Sequence, residues 1–524
     1  MLRWLLPLLL ALLPSAANAA WLEAQTKHFI VYSDSSEKNL RAAATDLEKY
    51  DHLLRLVLET PDDNPIRVKV YLLGSIGEVQ QSMGEGINTG VAGYYEATAR
   101  GPIAVGIRGA LSLDFTGQMV LFHEYAHHVM LQYFPAAFPL WYVEGFAEYF
   151  APTRILPNGY EIGNAARYRF SYPNDDAYWL PMKKMLTGRN YKDIDDKVDQ
   201  LYSEGWLLTH YLLGDPERSK QLHKYLALIN HGTDYKSAME ATWGHDAAGL
   251  ETAIRSYAMQ HHYEALRVTF PSLDVGPVDV QPLSPARAAL IQQEIALGRG
   301  VFAKDAASFA ASVRSVAGKY PDDPDALAML TEAERIAGNH DAAAAAVDRW
   351  LAKRSGEPRA LMLKGMIAID ALVAAHSQDQ AALQAARDLV FQARKAAPED
   401  PMILEAFYDA YATYGRLPGG GAQSGLFHAM ELVPQDDHLR YKVAVDFERR
   451  GLIEAAINAI APAAYRAHQS DDESQKDKEK RARSEERWRV AGETKPAERP
   501  REMLARLQAL LAGGKAAPAA APPH

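Results

Sequence analysis

His123-Glu124-Tyr125-Ala126-His127 is the stretch on which the fold turns. It sits between two apolar runs, Met119-Val120-Leu121-Phe122 and Val129-Met130-Leu131. In a helix, positions i and i+4 share a face, so both imidazoles can reach one metal ion. Zinc takes such nitrogen ligands at about 2.0–2.1 Å. Glu124 then stands beside the metal, where a carboxylate can take a proton from metal-bound water. The apolar flanks predict a buried helix, and ionised groups are not buried without partners. A metal supplies that partner. His128 is adjacent to His127 and points elsewhere; it is expected to be solvated or to support the site from behind.

Two histidines do not complete a tetrahedral site. After a short loop containing Pro135 and Pro139 comes Trp141-Tyr142-Val143-Glu144-Gly145-Phe146-Ala147-Glu148-Tyr149. Glu144 and Glu148 are again four apart on one helical face. One carboxylate can close the site, and the other can accept the N–H of a ligating histidine and fix its orientation.

This pairing of H-E-x-x-H with W-x-x-E-G-x-A-E resembles the gluzincin metallopeptidases, which include thermolysin and the zinc aminopeptidases. Among them it is most similar to the bacterial peptidase MA-like family. The resemblance spans roughly residues 25–265. It implies one Zn²⁺ per chain held by His123, His127 and Glu144, with Glu124 as general base and Glu148 behind a ligand. Tyr202, in Leu201-Tyr202-Ser203-Glu204-Gly205-Trp206, resembles the family's oxyanion-donating tyrosine, with Tyr211 as its neighbouring rival. The exopeptidase segment G-x-M-E-N has no counterpart: residues 101–106 read Gly-Pro-Ile-Ala-Val-Gly. Glu96 is the candidate substitute for holding a substrate amine.

Around this centre, residues 28–33, 66–73 and 102–107 read as strands, the last as an edge because Pro102 cannot donate to a ladder. That edge could receive an extended substrate by strand addition. Residues 37–58 carry a helical stripe, 74–93 are Gly-rich, and the pattern is mostly helical from Thr116 to about residue 266. Prolines clustered in residues 271–285 predict a linker. Beyond it, alanine-rich helical pairs follow Pro324, Pro358, Pro398 and Pro434; the intervals Pro324–Pro358 of 34 residues and Pro398–Pro434 of 36 resemble tetratricopeptide repeats, while residues 359–397 are longer than one unit. Ala328, Gly338, Ala343 and Ala346 supply small residues for close helix approach. Residues 470–524 are charged, then Ala/Pro-rich, and are expected to be a partly disordered tail.

The chain's first residues add an address. Leu5–Leu13 is apolar, and Ala17-Asn18-Ala19 fits a signal-peptidase site, so residues 1–19 read as a signal peptide and the protein as periplasmic or secreted. No later run is long enough to span a membrane. The 524 residues contain no cysteine, which excludes disulfides, thiolate zinc sites and cysteine nucleophiles. A net charge of −10 argues against nonspecific nucleic-acid binding.

The expected fold is therefore α+β. A zincin-type domain (20–270) precedes the linker (271–285) and an all-α, tetratricopeptide-like solenoid (286–469). The expected function is hydrolysis of peptide bonds in a peptide or protein substrate, with the repeats recruiting substrate or a protein partner through a concave face. The alternative is a repeat-based periplasmic binding or scaffold protein carrying a vestigial peptidase module.

Overall fold

The computed structural model describes residues 20–83, 91–112, 114–165, 167, 179–260, 262–270, 273–301, 303–465 and 499–513. The expected signal peptide, Pro271, and residues 470–498 and 514–524 of the expected tail lie outside the described residues.

The chain opens with β1 (Leu22–Gln25), β2 (Phe29–Ser33), α1 (Glu37–Leu58), β3 (Val68–Leu73), α2 (Ile76–Met83), β4 (Gly93–Thr98) and β5 (Gly101–Ile107). A small hairpin, β6 (Ala110–Ser112) with β7 (Phe115–Thr116), leads into α3 (Gly117–Tyr133) and α4 (Leu140–Phe150). Next come β8 (Arg154–Leu156), β9 (Gly159–Ile162), α5 (Met182–Thr187), α6 (Val198–Leu213), α7 (Pro216–Asn230), α8 (Tyr235–Trp243) and α9 (Ala248–Ala258). β10 (Leu266–Thr269) joins β9 and β8 in a three-stranded sheet.

The main sheet runs β11-β1-β2-β3-β5-β4, where β11 is Asp279–Pro282. β2, β3 and β5 are parallel, and β4, β1 and β11 pair antiparallel. Its faces follow from strand alternation. Val68, Val70 and Leu72 of β3 join a core with α1 and α3. Tyr71 and Leu73 point the other way, into a cluster with Ile103, Val105 and Val79.

Two expectations about this sheet are corrected. β5 is interior, flanked by β3 and β4; Pro102 is tolerated because pairing with β3 begins at Ile103. The outer strand is β4. The proline-rich segment 271–285 is also more than a linker: its residues 279–282 are β11, the opposite edge of the sheet.

The remainder is helical. α10 (Pro285–Ala289), α11 (Ile291–Arg299) and α12 (Ala303–Ala317) precede four hairpins. These are α13 (Pro324–Ile336) with α14 (His340–Lys353), α15 (Pro358–Ala374) with α16 (Gln380–Ala396), α17 (Pro401–Ala412) with α18 (Gly420–Leu432), and α19 (Asp437–Arg449) with α20 (Ile453–Ala464). Asp323, Asp400 and Asp436 cap the first helices of three hairpins, accepting from two backbone amides each. Pro324, Pro358 and Pro401 occupy first-turn positions, where no amide is missed. The second hairpin is long because α15 and α16 have 17 residues each.

The expected tail contains one further helix, Pro500–Ala512, which buries Met503, Leu504 and Leu507 against α20. The hairpins also engage the sheet. Ile291 and Ile295 of α11 pack on its far face. Arg100 in the β4–β5 turn pairs with Glu332 of α13, and Ala99 is buried with Leu404, Tyr408, Leu439 and Val443. The chain's own β4–β5 turn thus contacts α13, α17 and α19 of the array expected to receive a partner. No helix among the described residues is long and apolar enough to cross a membrane.

Candidate metal centre

α3 begins where Thr116 caps Met119 N and where Gly117 donates to the Gly109 carbonyl at 2.7 Å. A Cβ on Gly117 would be 2.8 Å from that oxygen, so only glycine lets the helix start so close to β5. Val120, Leu121, Phe122, Ala126 and Val129 then bury the helix. The ring of Phe122 stacks on Tyr50 of α1 at 3.8 Å between centroids. Gly93 of β4 gives α3 room on the other side: a Cβ there would lie 2.8 Å from Val105 O and 3.5 Å from Glu124 Cγ.

This packing brings His123, His127 and Glu144 together. The two imidazole Nε2 atoms are 3.1 Å apart, and Glu144 Oε2 lies 3.4 Å from His123 Nε2 and 3.7 Å from His127 Nε2. Four ligands on a tetrahedron about 2.0–2.1 Å from zinc are separated by about 3.3–3.4 Å. The three observed edges average about that value, so the donor set fits one face of a zinc tetrahedron. Glu148 Oε1 is 3.4 Å from His123 Nδ1, the nitrogen turned away from the other ligands. It is fully buried, placed where a carboxylate can orient that ring.

The electrostatics suit a cation. Burial favours a neutral His123 ring, but the hydrogen bond with Glu144 and the charges of Glu148 and Glu124 outweigh it and push its pKa up to about 9. Burial raises Glu124 to about 7; His123 opposes that shift, and Glu144 and Glu148 add to it. A carboxylate in that range takes and returns a proton near neutral pH.

Tyr202 comes from α6, with its ring stacked on His123 at 5.8 Å. Tyr191 was not singled out in the sequence. It hydrogen-bonds Tyr202 and feels the charges of Glu144 and Glu124; burial, above all, raises its pKa. Its place in an irregular segment leaves no periodic signal. Tyr211 instead packs on Tyr257 and Arg218.

The solvated alternative for His128 and the role of Glu96 fail on geometry. His128 is buried, with Nδ1 2.9 Å from Tyr95 Oη and 3.3 Å from Gln435 Nε2. Burial, with the charges of Arg55 and His28, pushes it down to about 3, so it is a neutral hydrogen-bonding ring and not a solvated one. Glu96 cannot serve a substrate amine at this centre. Tyr95 of β4 faces α3, so alternation turns Glu96 to the opposite face of the sheet.

A second grouping, His28, Glu48 and Asp51, also lies within 4.8 Å. Its carboxylates are already engaged. Asp51 takes Arg55 at 2.7 Å and Tyr125 Oη at 2.5 Å, and Glu48 takes His28 through backbone and ring. It is an ion-pair network tying α1 to α3.

No family model matches the chain, and no curated protein does. Three solved structures similar to it are repeat proteins. A thermophilic tetratricopeptide-repeat protein of Thermus thermophilus is 18% identical, with a TM-score of 0.30, covering 38% of this chain and 97% of that one. A tetratricopeptide-repeat protein of Parabacteroides merdae is 13% identical, with a TM-score of 0.26, covering 55% and 98% respectively. The tetratricopeptide domain of P58(IPK) is 12% identical, with a TM-score of 0.22, covering 67% and 82%.

Proposed function

We propose that the chain is a zinc-dependent peptidase of gluzincin type, with His123, His127 and Glu144 as ligands. The observation that carries this reading is the triangle of donors, 3.1, 3.4 and 3.7 Å on its sides, with Glu124 on the same helix. Bound there, zinc would supply a Lewis acid that polarises the scissile carbonyl and acidifies water. Glu124 accepts the water proton and passes it to the leaving amine, and its burial in α3 favours the protonated intermediate stage of that transfer. Tyr202 donates a hydrogen bond to the oxygen that becomes anionic, and Tyr191 holds its hydroxyl. Glu148 keeps the His123 ring in one orientation. The signal-peptide reading of residues 1–19 puts this activity in a periplasm or outside the cell.

The test is elemental analysis and peptide-library hydrolysis on the full chain. One zinc per chain is expected, retained by Glu124→Gln with turnover reduced by orders of magnitude, and weakened by Glu144→Gln. Failure to bind zinc after reconstitution, or full turnover by Glu124→Gln, overturns the reading.

The second reading is a repeat scaffold with a vestigial peptidase module. What favours this reading in the chain is the exposure of Val373, Phe391 and Leu417 on the array, apolar groups available to a protein partner. A zinc-loaded protein that hydrolyses nothing in the library, yet captures a partner through those residues, would establish it.

A further inference from the structure

A cavity of about 250 Å³ lies between the main sheet and the first hairpins. Its floor is Lys69 and Tyr71 of β3 with Ile103 of β5, and its walls come from α11, α13, α14 and the start of α15. Alternation along β3 puts this cavity across the sheet from the metal centre: Val68 and Val70 face α1 and α3, so Lys69 and Tyr71 face away. It is a separate site.

The charges lining it are almost all accounted for. Arg287 is held by Glu23 at 2.7 Å and Glu294 at 2.9 Å, and Arg354 by Asp325 at 3.0 Å. Arg100 is held by Glu332, and Arg359 by Asp400 at 2.8 Å. Lys69 is the exception. Among the described residues no carboxylate forms an ion pair with it, although it lines the same cavity as these four arginines. Burial, chiefly, with Arg359, Arg287 and Arg100 adding and Glu294 opposing, pulls its pKa down to about 8. An ammonium so placed is stabilised by a further anion. With Glu357, and with the partners Glu23 and Asp400 behind the wall, six carboxylates stand against five cations, so what the cavity offers an anion is the single ammonium of Lys69, which suits one negative charge better than two. The rest of the wall is apolar: Ile103, Leu297, Met329 and Trp350.

We infer that this cavity binds a small organic monocarboxylate, its carboxylate on Lys69 and its apolar group among Met329, Leu297 and Trp350. The volume admits a molecule about the size of an aromatic amino acid, below the usual range for drug-sized ligands. Such a carboxylate comes either as a free acid or as the C-terminus of a peptide. A bound ligand would touch β3 on one side and α13–α15 on the other, and so brace the array against the sheet.

The test uses the full chain and calorimetric titration with N-acetylphenylalanine, its C-terminal amide, inorganic phosphate, and a six-residue peptide ending in free phenylalanine. The acid should bind and raise the melting temperature. The amide should bind at least tenfold more weakly, and phosphate should not compete. Lys69→Met should fold, since it removes a charge without a carboxylate partner, and should lose binding at least tenfold; Lys69→Arg should keep much of it. Peptide binding equal to that of the acid extends the site to chain termini, and its absence confines the site to free acids; both keep the carboxylate assignment. Equal affinity for acid and amide, no binding of either, or unchanged binding by a folded Lys69→Met overturns it.

Discussion

Gly145 of α4 and Gly205 of α6 pack backbone to backbone: a Cβ on Gly205 would lie 3.3 Å from Gly145 Cα, and one on Gly145 would lie 2.7 Å from the Gly205 carbonyl carbon. This crossing places Glu144 and Glu148, from one helix, opposite Tyr202, from the other. Gly145→Ala must push the helices apart. A loss of about 1–3 kcal/mol is expected from overpacking of this kind, together with weaker zinc binding. Denaturant melts and a competitive chelator titration check both. An unchanged zinc affinity would mean that the helices can part without moving Glu144.

The residues of the candidate metal site were legible because helical spacing alone aligns them: His123 with His127, and Glu144 with Glu148. The same spacing could not show why glycine follows Glu144, since that depends on a helix some 60 residues away in sequence. Tyr191 was hidden for the same reason, since it reaches the centre through contacts such as that with Tyr202, which its own segment does not announce. Strand β3 was legible from alternation, and helix α1 from its stripe. β1, β4 and β11 were not, because four to six residues of weak pattern become strands only through partners distant in sequence. Hairpin starts in the array were readable from Asp-Pro caps; how the array meets the β4–β5 turn was not.

A fragment ending at residue 270, the boundary the prolines suggest, lacks β11 and α11. It would leave β1 as an unpaired edge and uncover Tyr71 and Ile103 on the far face of the sheet. It would also lose Arg287, which joins Glu23, Tyr32 and Glu294. The expectation is that residues 20–270 aggregate or melt well below residues 20–300, which retain all three features. Light scattering and thermal melts of the two fragments check this; equal stability would restore the boundary at residue 270.

Within the array, Lys442 of α19 is buried with Nζ 2.7 Å from Glu405 and 2.8 Å from Asp409 of α17. Burial works against its charge, but the two carboxylates more than compensate and hold its pKa above the ordinary lysine value. Lys442→Met strands Asp409 and leaves Glu405 with His438 at 3.3 Å, a change that costs about 3–5 kcal/mol when one member of a buried pair is removed. Adding Glu405→Gln and Asp409→Asn should recover much of that loss. Melting of the three proteins decides it: no recovery would show that the ammonium's packing, and not its charge, matters.

The network at His28 predicts how stability varies with pH. Its Nδ1 is 2.7 Å from Glu48 and its Nε2 2.7 Å from Asp62. Burial disfavours the charged ring, but Glu48, Asp51 and Asp62 outweigh it, so its folded pKa stands above the ordinary value. A raised histidine contributes fully below its unfolded pKa of about 6.5, and the contribution disappears as pH rises through the folded value. For Glu48 and Asp62 burial also disfavours the charge, and their partners outweigh it, so both stand below the ordinary range. Their contribution is full above the unfolded carboxylate values and disappears as pH falls through the folded ones. The network is therefore worth most between about pH 5 and 6.5. His28→Ala should lower the melting temperature most at about pH 6 and less at about pH 9, since the ring's contribution fades as pH rises through its raised folded value. Melts of both proteins at the two pH values, each with a metal chelator present, give the comparison. A deficit that is constant, or larger at the alkaline pH, would show that His28 is held for its shape and not for its charge.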